Sequence, residues 1–560
     1  MFNNELWNKP AGGGGTTIYD YQIAHSVRMN GSNQYFNRTA GIGSTNSDKK
    51  AISVWYKRAG TTGNTPTQYI MSSQQNRLAA LFVNDGTNAD NFGYFTDNGG
   101  QNGKSKPLVR DFSAWYHLVF LYNSTLGTGV DRVKFYINGV HYTTADSTFW
   151  NIDGNGYPGS GTQIGFGMNG NQNNIGRYQY NGTGYFNGYL ADFIMIDGGT
   201  VPSISDFGET KNGVWIPKDP STLTFGNNGF WLKFQNSSAL GDDSSGNNND
   251  WTANNFSTSD QILDTPTFSA TDGNGGNFCT GNPVYRGTDT TDAKYGTLSE
   301  GNLKHSYANN NDAAIPCTHK VPPSGKWYWE YAIIAGGGSS GYSPAMGMMD
   351  PNTFTFSTSG INQTGLISYD NAQNNVRKNS STTATYGGSR GSNNDVMGIA
   401  VDMDNGAFYV SKNGTFQAIS GGSTGDPTSG ASKTGAGATW TPASEFTSGM
   451  VPMSQPTGGN VPIITMNFGQ EGTFGGTETA GGNSDTNGYG NFFSAVPSGY
   501  SAICSGALTV ANAIDPAQTD NNFPTKLFNP LLYTGDGGSS RAITGVGFQP
   551  DWVWIKRRNA

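Results

Sequence analysis

The stretch DRVKFYINGVHYTT, residues 131–144, decides the fold, because its pattern is that of a β-hairpin. An Asn-Gly pair stands between two runs of apolar and aromatic residues, and both residues of such a pair tolerate the positive φ that a two-residue turn requires. A turn at Asn138 and Gly139 pairs Ile137 with Val140. The stretch therefore predicts two antiparallel strands with one buried face.

A near copy of this pattern, DNGAFYVSKNGTFQAI, occurs at residues 404–419. A two-residue turn would place Val410 opposite Gln417, whereas a three-residue turn places Val410 opposite Phe416. The three-residue turn keeps the apolar residues on one face of the hairpin. We therefore predict the three-residue turn for this second hairpin.

The composition favours an all-β protein. Of 560 residues, 34% are hydrophobic, 12% are aromatic and 81 are glycine, and only seven of the 40 acidic residues are glutamate, a good helix former. Disordered chains are poor in aromatics and highly charged, whereas only 13% of these residues are charged. Many short strands joined by Gly, Asn, Ser and Thr turns are therefore predicted.

The charge and hydropathy patterns argue against several partners. The net charge is −8 and the basic residues are scattered, so no nucleic-acid partner is expected. No apolar stretch is long enough to span a bilayer, so no membrane partner is expected either. Residues 1–17 have neither a basic n-region nor an apolar core, and we interpret them as a leader or attachment segment rather than a signal peptide.

Three segments in the first half of the chain carry a family resemblance. They are WYHLVFLYN at 115–123, VKFYINGV at 133–140 and GYFNGYLADFIMIDG at 184–198. Together they resemble the concanavalin A-like lectin/glucanase sandwich in its laminin-G-like form. The resemblance implies an antiparallel jelly-roll sandwich over residues 18–265, with His117 as a packed structural residue.

The second half of the chain resembles a different family. In order, GKWYWEYAII (325–334), DVMGIAVDMDNGAFYVSKNGTF (395–416), VPMSQ (451–455) and MNFGQ (466–470) are similar to the successive strands of a SPRY domain. This resemblance implies a second two-sheet sandwich over residues 278–475. Two related sandwiches each need the same hairpin, which explains why the opening pattern occurs twice.

The remaining segments complete the predicted domain order. Residues 266–277 and 476–532 are predicted linkers. The segment 533–560 contains GVGFQPDWVWIK and is predicted to begin a third β domain in a chain that continues further. The order of the domains resembles that of large virion fibre and appendage proteins of tailed phages from marine hosts.

That resemblance implies a function. The leading hypothesis is a non-enzymatic structural and adhesive protein on the virion surface, in a tail fibre or a capsid appendage, that attaches to host-surface glycans. Its partners would be other virion proteins and further copies of itself, with a trimer favoured. Two alternatives are a capsid decoration protein without a receptor role and a glycan depolymerase.

The residues for catalysis are not apparent. Laminarinase-type members of the first family use a Glu-x-Asp-x-(x-)Glu strand, whereas the closest glutamates here, Glu471 and Glu478, are seven apart in a glycine-rich loop. Gly-x-Ser-x-Gly occurs at 337–341 and 421–425, but neither copy precedes a predicted helix, as a nucleophile elbow must. The sequence therefore predicts that the protein is not an enzyme.

A glycan site needs flat aromatic rings for the apolar face of a sugar and planar polar groups for its hydroxyls. Residues 149–186 combine aromatics with Asn and Gly, and we predict a glycan-binding set of Trp150, Tyr157, Tyr178, Tyr180 and Tyr185. The alternative is that these aromatics are ordinary packing residues of strands.

A possible metal site lies in LGDDSSGNNNDW, residues 240–251. Asp242, Asp243 and Asp250 supply carboxylates of the kind that hold structural Ca2+ in concanavalin-like sandwiches. The EF-hand spacing is absent, and clusters of Asp, Ser, Gly and Asn also form turns without any metal. No other cofactor is expected.

Overall fold

The computed structural model describes residues 19–508 and, near the C-terminus, 531, 533–535, 537–538, 540–550 and 552–555. Within the first of these ranges the exceptions are 42, 61–66, 75–76, 84–90, 97–101, 143–149, 152–156, 212–213, 285–295, 308–313, 339–342, 355–362 and 458–460. The predicted leader, 1–17, lies outside the described residues.

Eighteen strands build the first half of the described chain. They are β1 (Ser26–Asn30), β2 (Tyr35–Thr39), β3 (Lys49–Arg58), β4 (Gln68–Gln74), β5 (Ala79–Val83), β6 (Asn91–Thr96), β7 (Asn102–Leu108), β8 (Trp115–Asn123), β9 (Val133–Ile137), β10 (Val140–Tyr142), β11 (Trp150–Asn151), β12 (Gln172–Ile175), β13 (Asn187–Asp197), β14 (Gly208–Lys211), β15 (Val214–Pro217), β16 (Phe230–Leu232), β17 (Thr252–Asn254) and β18 (Gln261–Ile262). One antiparallel sheet has the order β10-β9-β8-β3-β13-β1-β18, with β16 also paired to β13. A second has the order β11-β7-β6-β5-β4-β12-β2-β17, and β14 pairs with β15 in a separate hairpin.

The two large sheets pack face to face. Alternate residues of β3 and β8, such as Val54 and Phe120, meet residues of the other sheet, such as Leu81 and Tyr94, in one buried core. The opposite faces of β3 and β8 are buried as well, with Ala51 and Val119 in a further core cluster. The sheet order and the core confirm the predicted all-β fold for this half of the chain.

The first hairpin has the predicted register. Val140 pairs with Ile137 across the turn, and Asn138 and Gly139 have φ values of 50° and 75°. The side-chain Oδ1 of Asn138 also accepts a hydrogen bond from the backbone N–H of His117 at 2.7 Å. The turn is therefore tied to the neighbouring strand β8 as well as to its own hairpin.

His117 is a packed residue, as predicted. Its ring stacks on Trp55 at 4.6 Å, and its Nδ1 accepts a hydrogen bond from the indole N–H of Trp215 at 2.9 Å. Because an indole nitrogen can only donate, the ring proton is on Nε2, which lies 2.7 Å from Ser53 Oγ. Burial lowers the pKa of His117 to about 3.

This histidine predicts a loss of stability in acid. The pKa of His117 in the folded state lies below the ordinary value of about 6.5. The stability that the buried neutral imidazole contributes is therefore complete above pH 6.5 and is lost as the pH falls. Between pH 6.5 and 5 the loss is about 2 kcal/mol in the free energy of unfolding. Glutamine at position 117 cannot titrate. Measured by denaturant unfolding, the free energies of unfolding of the wild type and of His117→Gln should therefore differ less at pH 5 than at pH 6.5. A difference that stays constant with pH would contradict the assignment.

Fourteen strands build the second half of the described chain. They are β19 (Thr297–Ser299), β20 (Lys304–Ser306), β21 (Ile315–Pro316), β22 (Lys326–Ala335), β23 (Ser343–Met349), β24 (Leu366–Asp370), β25 (Asn375–Lys378), β26 (Ser381–Thr385), β27 (Val396–Asp402), β28 (Ala407–Lys412), β29 (Thr415–Phe416), β30 (Ala438–Thr439), β31 (Val451–Thr457) and β32 (Ile463–Asn467). One antiparallel sheet has the order β19-β20-β32-β22-β27-β28-β29, with β30 paired to β28, and the other has the order β21-β31-β23-β24-β25-β26. Residues of both sheets, including Tyr331, Met346 and Ile399, share one core. The chain is thus a tandem of β-sandwiches.

The predicted register of the second hairpin is wrong. Lys412 pairs with Thr415, so the turn contains two residues, and the backbone N–H of Gln417 donates to Val410. The prediction assumed one buried face, but Tyr409 and Val410, on opposite faces of β28, are both buried. With both faces covered, burial no longer selects the register, and the Asn-Gly turn does.

The two predicted linkers contribute to the packed structure. In the segment 266–277, Thr267 and Asn274 are fully buried, and Thr267 Oγ1 accepts a hydrogen bond from the backbone N–H of Ile23 at 2.8 Å. In the segment 476–532, the described residues up to 508 place side chains such as Tyr500 in the core of the second sandwich. Sparse apolar residues among many Gly, Asn and Ser conceal this packing in the sequence.

Helices contribute little to the described part of the chain. Short 3-10 helices lie at Gly129–Asp131, Ile204–Asp206, Pro220–Thr222, Thr258–Asp260 and Pro427–Ser432. None of the described helices is long and apolar enough to cross a membrane. The described residues of 533–560, the predicted start of a third β domain, form no strand.

Candidate functional site

Three of the five predicted glycan-binding aromatics lie in one loop, residues 176–186, between β12 and β13. The loop closes on itself, because the N–H of Tyr178 donates to the carbonyl of Thr183 at 2.8 Å and the N–H of Gly182 donates back to Tyr178 at 3.0 Å. Gly182 and Gly184 have φ values of 67° and 63°, which favour glycine. The N–H of Tyr69 on β4 donates to the carbonyl of Gly184 at 3.1 Å, which fixes the loop to the sheet.

The rings of this loop extend an aromatic surface on the second sheet. Tyr178 stacks on Tyr69 with the ring centroids 4.5 Å apart and the planes 12° from parallel. Tyr180 follows at 6.0 Å from Tyr178 and is 65% exposed. Tyr185 lies 6.4 Å from Tyr35 on β2. We refer to these two groups of rings, Tyr69 with Tyr178 and Tyr180, and Tyr35 with Tyr185, as the tyrosine platform.

Polar groups stand directly beside these rings. The guanidinium of Arg177 lies 3.4 Å from the centroid of Tyr35, a cation–π contact. The side-chain amide of Gln179 donates to the side-chain oxygen of Gln172, and the backbone N–H of Gln179 donates to Ser72 Oγ at 2.8 Å. The platform thus combines flat rings with amides, which is the combination that sugar recognition requires.

The other two predicted aromatics lie elsewhere. Trp150 is in β11, which pairs with β7 at the edge of the sheet, and its side chain is outside the described residues. Tyr157 lies against Gly129, in the 3-10 helix before β9. The predicted set is therefore divided between separate places.

Two tyrosines of the platform, Tyr35 and Tyr69, are not apparent from the sequence. Tyr35 and Tyr69 lie more than 100 residues before the loop, and no local pattern links them to it. They become neighbours of the loop only because β2 and β4 both pair with β12, and that pairing would have to be predicted first.

The predicted calcium ligands serve as hydrogen-bond acceptors in a turn. The side chain of Asp243 accepts from the backbone N–H of Trp231 at 2.8 Å and from that of Asn249 at 2.9 Å, and Asp250 accepts from the N–H of Asp243 at 2.8 Å. Asp242 accepts from a side-chain amide instead. Across the described residues, no three His, Cys, Asp or Glu side chains are grouped so that they could hold a metal ion. These carboxylates thus accept hydrogen bonds within the turn, and Ca2+ binding at Asp242, Asp243 and Asp250 stays a prediction.

Two carboxyl groups with perturbed pKa values are each enclosed in a different sandwich. Burial raises the pKa of Asp192 to about 6, and its carboxylate accepts hydrogen bonds from Tyr21 and Trp231. Burial also raises the pKa of Glu330, which accepts from the backbone N–H groups of Phe493 and Ser494 at 3.0 and 2.8 Å. These two groups are structural acceptors, and they do not form a pair across a common cleft.

A family model, described as a domain of unknown function (DUF7483), matches residues 523–560, a range that contains the predicted further domain at 533–560. No curated protein matches the chain.

Among solved structures, the chain is similar to the SPRY domain of human HERC1 at 14% identity, over 29% of this chain and 87% of that one, with a TM-score of 0.22. It is also similar to a heptameric SAP-like pentraxin from Limulus polyphemus, at 15% identity over 32% and 79% of the two chains, with a TM-score of 0.24. A third similarity is to a Bacteroides ovatus protein to which carbohydrate binding has been ascribed, at 16% identity over 42% and 58%, with a TM-score of 0.27. At these values the likenesses carry no argument about function.

Proposed function

We propose that this chain is a non-enzymatic adhesive protein that binds host-surface glycans through the tyrosine platform. The observation that carries the proposal is the exposed ring of Tyr180 beside the stacked pair of Tyr178 and Tyr69, with amides alongside. An aromatic ring accommodates the apolar face of a pyranose, and neighbouring amides accept and donate to its hydroxyls.

The platform is well suited to binding because it is already ordered. Stacking on Tyr69 and the hydrogen bonds within the loop hold Tyr178 in place before any ligand arrives. Less conformational entropy is then lost when a sugar binds. The separate burial of Asp192 and Glu330 supports binding over glycan hydrolysis, because neither carboxyl group is free to act on a substrate.

The setting of this activity is also part of the proposal. We place the protein on a virion surface, as a fibre or appendage, on the basis of the order of its sequence motifs. Several identical chains, three in the favoured arrangement, would present several platforms to a repetitive surface. Such multiple attachment strengthens weak individual sites without any new contact.

Tyr180→Ala is expected to weaken binding of the protein to host cells or to isolated host polysaccharide by about tenfold or more, because aromatic anchors dominate such contacts. The melting temperature should not change, since the ring is mostly exposed. Tyr533→Ala is a matched control, because Tyr533 is also exposed but lies in the C-terminal segment.

Three outcomes would count against this function. Equal binding by the wild type and Tyr180→Ala would exclude the platform, and binding that survives removal of cell-surface glycans would exclude a glycan ligand. Steady release of reducing ends by the wild type would favour the depolymerase alternative. For glycan binding, the affinity should also depend little on ionic strength, because charge-driven attachment weakens steeply with salt.

A further inference from the structure

A cleft of about 180 Å³ lies where the two sandwiches meet. Its lining is mostly polar and comes from both halves of the chain, with Arg28 and Gln34 from the first and Glu300 and Lys304 from the second. Phe474 adds an apolar wall. The tyrosine platform does not contribute to this lining.

Arg28 is the distinctive group of the cleft. Its side chain is only 1% exposed, and Nη2 donates to Asp260 at 3.2 Å. Its Nε lies 3.6 Å from Glu300 Oε2, and its Nη1 lies 3.8 Å from Glu471 Oε2, both beyond hydrogen-bond distance. These two nitrogens are buried without a hydrogen-bond partner, which is costly unless a further group completes the site.

The positions of these charged atoms indicate which kind of ligand group could complete the hydrogen bonding of Arg28. A group beside Nε and Glu300 must accept from the guanidinium and donate to the carboxylate, and a hydroxyl does both. Asp260 is already occupied, because it also accepts from the Gln34 amide and from the N–H of Ser257, each at 2.8 Å. Glu300 is 29% exposed and lines the cleft, so its carboxylate is accessible to a ligand.

The mixture of opposite charges around the cleft argues for a neutral ligand. Three carboxylates, those of Asp260, Glu300 and Glu471, stand near two cations, those of Arg28 and Lys304. An anion would be repelled by the carboxylates and a cation would be repelled by the basic groups. In either case this repulsion would offset much of the attraction to the groups of opposite charge. The volume is below the roughly 300–1,000 Å³ of pockets for drug-sized molecules, which limits the ligand to about one ring.

We propose that this cleft is a second binding site, which takes a single neutral sugar unit whose hydroxyls bridge Arg28 and Glu300. The site is separate from the tyrosine platform, and it does not require that the platform bind glycans. In a glycan it would hold a terminal residue, since the cleft has room for about one ring.

The test is calorimetric titration of the full chain with methyl β-D-glucopyranoside, methyl β-D-galactopyranoside and methyl α-D-mannopyranoside. The Tyr180→Ala background weakens any binding of a glycoside at the platform. In that background we expect at least one glycoside to bind, and we expect Glu300→Gln to weaken it by about tenfold, the value of one hydrogen bond to a charged group. Lys304→Met is a second variant and should weaken binding in the same direction.

Glu445→Gln is the matched control, because Glu445 is also a partly exposed, ion-paired glutamate but lies outside this lining. Absence of binding by all three glycosides, or equal affinity in Glu300→Gln and Glu445→Gln, would overturn the cleft site. Neither result would count against glycan binding by the tyrosine platform. Conversely, glycoside binding that depends on Glu300 but not on Tyr180 would support the cleft as a site separate from the platform.

Discussion

Lys57→Met is expected to lower the free energy of unfolding by about 3–5 kcal/mol, because it leaves a buried carboxylate without its counter-charge. The side chains of Lys57 and Asp264 are both fully buried, with Nζ and Oδ2 2.6 Å apart. The ammonium also donates to Asn277 Oδ1 at 2.7 Å and to the carbonyl of Phe278 at 2.9 Å. One cation thus joins strand β3 to the chain that enters the second sandwich.

Lys211→Met is the matched control for this prediction. Lys211 pairs with Asp20 at 2.7 Å, but the two side chains are 37% and 75% exposed. Exposed pairs contribute about 0–1 kcal/mol, so this variant should unfold almost as the wild type does in a denaturant titration. Similar decreases in the free energy of unfolding of both variants would show that burial does not increase the contribution of the Lys57–Asp264 pair to stability.

Gly139→Val is expected to destabilise the first sandwich by about 2–5 kcal/mol. Gly139 has a φ of 75°, and forcing a residue with a Cβ into this region costs about 1–2 kcal/mol. A Cβ at this position would also overlap the indole ring of Trp215, and such overpacking costs about 1–3 kcal/mol more. The melting temperature and the denaturant midpoint measure the effect.

Gly161→Val separates the two causes. Gly161 has a φ of 73°, but nothing lies within 4 Å of a Cβ added there. This variant should therefore show only the backbone cost of about 1–2 kcal/mol. Equal losses for the two variants would show that the contact with Trp215 contributes nothing.

Much of the fold follows from local sequence. The register of the first hairpin is set by Asn138 and Gly139, because turn geometry acts over four residues and needs no distant partner. The apolar run of β8 likewise indicates a buried strand. The packed role of His117, in contrast, is implied in the sequence only by the resemblance of residues 115–123 to the laminin-G-like family.

The candidate sites depend on contacts that the sequence does not display. Tyr178 becomes part of a surface because Tyr69 lies beneath it, and Arg28 becomes part of a cleft because Glu300 approaches it from the second sandwich. These pairs are far apart in the chain, and no periodicity connects them. The same limit applies to buried residues of the predicted linker 476–532, such as Tyr500, whose burial depends on the sheet that they cover.

The sequence by itself determined the β-sandwich class, the turn of the first hairpin and the types of residue available for recognition. Only the tertiary structure decided the register of the second hairpin, the membership of the tyrosine platform and the burial of Lys57 against Asp264, which is 207 residues away. The physical reason is one of range. Turn and strand preferences act between neighbouring residues, whereas burial and ion pairing depend on which distant surfaces meet.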